Sequence, residues 1–430
     1  MLKESHFNFW VDKGNKSYVF NGVSGSLLCL PKELRGHLKQ FLQNDPTGDC
    51  SLELLKNMVY GRMLVPDDED EIALLKRRFE AERTNYASLA LTILPTLSCN
   101  FNCLYCYENK RSQFMAKDVE LALLAFLENR LAKLATFFVS WYGGEPLLRK
   151  EQLFRLSNAF IKRCDDFSIK YSSHIITNGY LLDEQTCTRL RDCKVANAQI
   201  TLDGPPAIHN RMRPLAKGGD TFWPIVENIR HAVDYMNICV RVNFDKNNLY
   251  HAEDLMRILA DEGFSHKIRL SPGKILTTDA GRSYYSRKQE HCLLTDKEFS
   301  DARQNFDSLA ADYGFPTSLS LTPLGVYCSA PRLNECVVGP GGELYKCWIS
   351  VGDSRETVGT LWNYQKTDKN LRKWTQHTPF RHKNCLKCLI LPVCMGGCAH
   401  SAQDPVKQES ECDAFRRAYQ EQITGLIRDS

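Results

Sequence analysis

The sequence predicts an α/β protein: a partial (β/α)6 TIM-type barrel, preceded by a winged-helix-like domain and followed by a cysteine-rich domain. Three observations predict it. From Ala90 onward, short apolar runs alternate with amphipathic helical patterns, the rhythm of strand–helix units in a parallel sheet with right-handed crossovers. Polar or glycine-rich motifs close nearly every run, on the face where such barrels carry their sites. From about Leu321 the rhythm gives way to Cys, Gly and Pro punctuation. The expected domains are therefore residues 1–88, 89–320 and 321–430.

At the N-terminus, "KSYVFNGVSGSLLCL" reads as two short strands around Asn-Gly and Ser-Gly turns. "PKELRGHLKQFLQ" and "SLELLKNMVYGRMLVPDDEDEIALLKRRFEAER" carry helical periodicity, the latter broken near Val65-Pro66. In the barrel, the expected strands are 89–96, 136–143, 173–179, 197–204, 239–245 and 266–273. "AKDVELALLAFLENRLAKL" and "TFWPIVENIRHAVDYM" are crossover helices. Beyond Leu321 little regular structure is expected. A segment that buries little apolar surface needs another source of order, and metal ligation supplies one.

The formal charge of +4 over 430 residues is small and argues for neither a nucleic-acid nor a membrane partner. Eighteen cysteines are many. "MLKESHFNFWVDKGNK" contains no apolar signal segment, so the expected location is the reducing cytoplasm. There, clustered cysteines bind metal or do chemistry more often than they form bridges.

Two cysteine constellations stand out. Cys99, Cys103 and Cys106 form C-x3-C-x2-C in the loop after the first barrel strand, with aromatic Tyr105 inside it. Three thiolates can hold three irons of a [4Fe–4S] cube and leave the fourth open. A partial zinc site and structural thiols are the other readings of that spacing. Downstream run Cys328-x7-Cys336-x10-Cys347 and Cys385-x2-Cys388-x5-Cys394-x3-Cys398-x13-Cys412. Eight thiolates suit two fully ligated cubes, with two zinc knuckles as the alternative. The other seven cysteines (29, 50, 164, 187, 193, 239 and 292) read as packing residues.

"CNFNCLYC" resembles the cluster loop of radical S-adenosylmethionine (SAM) enzymes. The resemblance implies that SAM itself ligates the open iron and is cleaved by one electron to a 5′-deoxyadenosyl radical. It also implies SAM contacts at Tyr105, at Gly143, Gly144 and Glu145 of "GGEP", at Asn178 of "TNG", at Thr201 of "TLDG", and at Arg213 and Asn243. "HNRMRP" holds both Arg211 and Arg213 and leaves the choice between them open. Polar strand-end caps are the plainer reading of Asn178 and Asn243.

The downstream cysteines resemble the SPASM extension of radical enzymes that modify peptides. That likeness implies two auxiliary [4Fe–4S] clusters, three in all. Cys328, Cys336, Cys347 and Cys398 would hold the nearer one, and Cys385, Cys388, Cys394 and Cys412 the farther one.

The N-terminal module resembles the leader-peptide recognition domain of maturases of ribosomally made peptides, of sactipeptide or ranthipeptide type. It implies a precursor peptide as partner, bound by addition to a sheet edge, and an electron donor such as flavodoxin or ferredoxin. Trp348 follows Cys347 where sulfatase maturases carry a basic Asp. The expected reaction is an intramolecular crosslink, thioether rather than carbon–carbon. The alternatives are modification of a whole protein (a sulfatase or a quinohemoprotein-type substrate) and a non-catalytic iron–sulfur carrier or zinc scaffold. No side chain stands out in the sequence as the catalytic acid or base.

Overall fold

The computed structural model describes residues 1–43, 48, 50–108, 111–276, 290–316, 321–364 and 369–428. The expected boundary residue 320 lies outside the described residues. The chain forms two compact units. One holds Met1–Thr84, Ser318–Arg332 and Thr375–Ser430; the other holds Asn85–Thr317 and Leu333–Trp374.

The first unit begins with β1 (Leu2–Glu4), β2 (Asn8–Lys13), β3 (Lys16–Asn21) and β4 (Leu27–Pro31), followed after two helices by β5 (Leu64–Pro66). Strands β2, β3 and β4 form an antiparallel sheet, with Trp10 opposite Val19 and Val19 opposite Leu28. Strand β1 pairs antiparallel with β5. Alternation along β2 and β3 sends side chains to two apolar faces. Val19, Leu28 and Leu30 pack with Leu38, Met58 and Met63 of the helical side. On the other face, Phe9, Val11, Tyr18 and Phe20 pack on Tyr419, Ile423 and Ile427.

Those three residues belong to a helix spanning Pro405–Arg428, which corrects the expectation of little regular structure near the C-terminus. Its start has a clear cause. Asp404 accepts from the Val406 amide at 3.0 Å as N-cap, and Pro405 occupies the first turn, where no amide partner is needed. Phe415, Tyr419, Ile423 and Ile427 recur every fourth residue and so share one stripe. Burying each such side chain stabilises by about 1.5–3 kcal/mol.

The second unit is built on six parallel strands: β6 (Ser88–Ile93), β7 (Thr136–Trp141), β8 (Lys170–Thr177), β9 (Val195–Thr201), β10 (Asn237–Phe244) and β11 (Ile268–Lys274). All six expected strands are present within a few residues of their expected bounds. They pair in sequence order, Leu91 beside Val139 and Ile200 beside Val240. Leu91, Ile93, Val139, Trp141, Ile175, Ile200 and Val240 are fully buried, and along β6 and β8 they alternate with half-buried positions on the opposite face.

The cysteine-rich segment adds to this sheet, which the sequence did not suggest. β12 (Glu335–Val338) pairs parallel to β6, and β13 (Glu343–Tyr345) and β14 (Gly359–Thr360) continue antiparallel. The order β11-β10-β9-β8-β7-β6-β12-β13-β14 leaves β11 and β14 at the edges, so the six-stranded part is an open, partial barrel. No described helix is long and apolar enough to cross a membrane.

Candidate active site

The Cys99–Cys106 loop leaves the carboxyl end of β6 and is anchored by its own backbone. The Asn102 amide donates to the Pro214 carbonyl at 2.8 Å, that of Leu104 to Met212 at 3.0 Å, and that of Ala216 to Asn100 at 2.8 Å. Phe101, 1% exposed, plugs the loop into the unit, its ring 5.8 Å from that of Tyr180. Cys99, Cys103 and Cys106 remain partly exposed.

The Gly143-Gly144 turn after β7 lies directly against this loop. The amides of Gly144 and Glu145 donate to Thr96 and Ser98 carbonyls at 3.2 and 3.0 Å. A Cβ on Gly143 would come within 2.4 Å of the Thr96 oxygen, and one on Gly144 within 2.3 Å of the Ser98 oxygen. Gly143 also has φ +121°, a conformation open to glycine and costly for other residues. The glycines thus serve the close approach of two backbone segments.

Glu145 is fully buried. Its carboxylate accepts from Leu147 N at 3.0 Å, Thr177 Oγ1 at 2.7 Å and Asn178 N at 2.7 Å. It ties the end of β7 to the end of β8. Burial pushes its pKa up, and these three donors and Arg213 oppose the rise. Asn178 in turn donates to Asn100 Oδ1 at 2.8 Å and approaches Cys99 Sγ at 3.9 Å. Asn178 therefore touches the cysteine loop itself.

A second knot joins the ends of β9 and β10 to the loop. The Tyr105 hydroxyl donates to Asp203 Oδ2 and accepts from Arg213 Nη1 at 2.6 Å and Asn243 Nδ2 at 3.1 Å. Asp203 Oδ1 accepts from the Asn243 amide at 2.9 Å, and the Asp203 amide donates to His209 Nδ1 at 3.1 Å. Asn248 Nδ2 donates to the Asp203 and Asn243 carbonyls at 2.8 and 2.7 Å. Burial raises the Asp203 pKa, opposed chiefly by Arg213. Burial lowers that of Arg213, but neighbouring Cys103, Tyr105 and Asp203 win and hold it firmly cationic.

The structure decides between the two arginines: Arg213 is 8% exposed within the knot, whereas Arg211 faces solvent. Asp203 was missed by the sequence reading, although it stands inside the quoted "TLDG". Asn100, inside "CNFNC", was missed likewise. Their signal was a short polar side chain enclosed in a glycine- or cysteine-rich strand end.

Three groups bear on what the site can hold. Thr201, 9% exposed, makes no side-chain hydrogen bond among the described residues. Arg213 Nε is buried without a partner among them. Cys99, Cys103 and Cys106 offer soft ligands. A buried hydroxyl, a spare guanidinium edge and three thiols suit a carboxylate-bearing ligand and an iron–sulfur cluster.

In the other unit, Cys385, Cys388, Cys394 and Cys412 line one cavity of about 440 Å³. Met395, Gly396 and Gly397 all adopt positive φ (+43°, +88° and +68°) and turn the chain sharply after Cys394. Burial pushes the Cys385 thiol up to about 11 and that of Cys394 to about 12, and neighbouring thiols add to both shifts. Gathered thiols resist ionising together, and a bound cation reverses that. Of the remaining four, Cys336 and Cys347 belong to the barrel unit and Cys328 and Cys398 to this one. Among the described residues no three His, Cys, Asp or Glu side chains are gathered as around a single metal ion.

A sequence model of the radical SAM superfamily matches residues 93–259, from the end of β6 into the helix after β10. This stretch is a radical SAM domain. The chain is accordingly an enzyme of radical chemistry, and the family's cofactors, SAM and a [4Fe–4S] cluster, fit the donors just described. The cysteine-type anaerobic sulfatase-maturating enzyme of Clostridium perfringens is 24% identical over 358 residues, 77% of this chain and 95% of that protein. The mycofactocin maturase MftC of Mycobacterium tuberculosis is 22% identical, covering 74% of this chain and 80% of MftC.

Among solved structures, native anSMEcpe with bound AdoMet and Cp18Cys peptide superposes with a TM-score of 0.62 at 20% identity. It covers 79% of this chain and 98% of its own. Streptococcus suis SuiB bound to precursor peptide SuiA gives 0.53 at 11% identity, covering 95% of this chain and 98% of its own. These likenesses establish the fold of a radical SAM maturase.

Proposed function

We propose that this radical SAM enzyme matures a ribosomally made precursor peptide by crosslinking two of its residues, a thioether being favoured over a carbon–carbon bond. One observation carries the reading. The likeness to SuiB, a protein solved with its precursor peptide, extends over 95% of this chain, against 79% for the sulfatase maturase. The small β2–β4 sheet with its flanking helices supports it, because such a sheet offers an edge to an extended peptide. Trp348 after Cys347 supports it also, since that position lacks the basic carboxylate expected of formylglycine formation.

When bound and reduced, the SAM cluster supplies a 5′-deoxyadenosyl radical that removes a carbon-bound hydrogen. The protein's part is to hold and orient. Cys99, Cys103 and Cys106 ligate the cluster. Thr201 and Arg213 take the SAM carboxylate, with Arg213 fixed by Tyr105 and Asp203. The Gly143–Glu145 turn meets the SAM amino group, and Asn178 and Asn243 shape the wall beside it. Cys385, Cys388, Cys394 and Cys412 hold one auxiliary [4Fe–4S] cluster, and Cys328, Cys336, Cys347 and Cys398 a second. The leader engages residues 1–88, and a flavodoxin- or ferredoxin-type donor supplies the electron.

A second reading, modification of a whole protein, is favoured by the identity to the clostridial sulfatase-maturating enzyme. The test is anaerobic incubation of the reconstituted chain with SAM, dithionite and either a short cysteine-containing precursor peptide encoded beside it or a sulfatase-derived peptide. Loss of a pair of hydrogens from the precursor, read by mass spectrometry, supports the crosslink. Turnover of the sulfatase peptide alone overturns it.

A further inference from the structure

The cavity that gathers Cys385, Cys388, Cys394 and Cys412 also brings cations to those thiols. Arg416 lines it one helical turn beyond Cys412, on the same cavity as Cys388, and its positive charge is felt by the Cys385 and Cys412 thiols. Arg381 and Lys383 line the same wall, against one lining carboxylate, Glu409, among the described residues. Arg416 is steadied by an ion pair with Asp413 at 2.9 Å.

A four-cysteine cube is formally dianionic when oxidised and trianionic when reduced. A fixed cation beside it stabilises the reduced form more. We propose that Arg416 is a tuning residue that raises the reduction potential of the cluster held by these four cysteines. The inference rests on the ligand assignment made above. The couple moves one electron, and no bond forms or breaks.

The four thiols alone would bind a cluster without any nearby arginine. A helix continuing past Cys412 needs no cation at that position, and a residue serving solubility would face water. Arg416 instead lines the cavity that the four thiols share and is partly buried there.

The test uses the full chain carrying Cys99→Ala, Cys103→Ala and Cys106→Ala, which silences the SAM cluster, with dithionite as reductant and potentiometric EPR as readout. Arg416→Gln is expected to lower the reduction equilibrium tenfold, about 59 mV for one electron, with Arg416→Lys between it and the parent. A Gln variant with full iron and sulfide and an unchanged midpoint overturns the proposal. Should that variant lose its iron, Arg416→Lys decides: a midpoint below the parent's supports the proposal, and an unmoved or higher midpoint overturns it. A parent chain whose iron and sulfide counts leave no cluster at these cysteines overturns the ligand assignment instead, and that result is read before any potential is measured.

Discussion

The Cys99 loop and the Cys385–Cys412 cavity both gather thiols, but they are held by opposite means. The loop is laced by backbone hydrogen bonds to residues 212–216, plugged by Phe101, and backed by the buried knot of Tyr105, Asp203, Arg213 and Asn243. Three of the cavity's cysteines sit on or beside one-turn helices, Lys383–Leu386 and Leu391–Cys394, joined to the rest through left-handed turns. The first site is thus held by the protein's own packing and hydrogen bonds, whereas on the reading proposed above the second would be completed by metal. A site that must release and rebind a cofactor each turnover needs the former. On the proposed reading the cavity would only pass electrons, and such a site can depend on the latter.

The largest effect is expected at the loop. Replacing Cys99, Cys103 or Cys106 by Ala should abolish SAM cleavage, assayed as 5′-deoxyadenosine release, while leaving circular dichroism and Tm close to the parent. Unfolding of these variants would break the comparison, because it would make the loop as metal-dependent as the cavity. Next, chelating iron from the whole protein should expose residues 375–412 to protease and leave residues 85–276 protected, as peptide mapping would reveal.

Asp203→Ala should be severe for its size. It leaves Arg213 buried without its carboxylate, at a cost of about 3–5 kcal/mol, read as a lower urea midpoint. Tyr105→Phe removes the hydroxyl that joins three partners and should cost about 1–3 kcal/mol, with weaker SAM binding. Thr201→Ala should be the mildest. Stability is expected to hold, and SAM affinity to fall by about 1 kcal/mol, roughly fivefold by calorimetry.

Much of the barrel was legible because its strands are short and apolar at the buried positions, as in "TFFVSW" and the alternating "VRVNF". The cysteine loop was legible because thiol spacing is chemistry written in one dimension. The knot was not, since Tyr105 and Asp203 stand 98 residues apart and nothing local pairs them. Strands β12–β14 were hidden by brevity. The C-terminal helix is a different case: Asp404-Pro405 and the every-fourth-residue apolar stripe were present, but the charged residues around them masked the period. The glycines of "GGEP", expected to contact SAM, also admit a neighbouring backbone, which nothing local in the sequence shows.

That C-terminal helix carries Cys412 in its first half and, in its second, the aromatic and aliphatic residues that roof β2 and β3. The N-terminal module is thus not a detachable cassette. Anyone transplanting residues 1–84 onto another enzyme, or trimming them away, inherits a problem at a cluster of cysteines more than three hundred positions later in the chain. Exchange between such enzymes has to move both chain ends together.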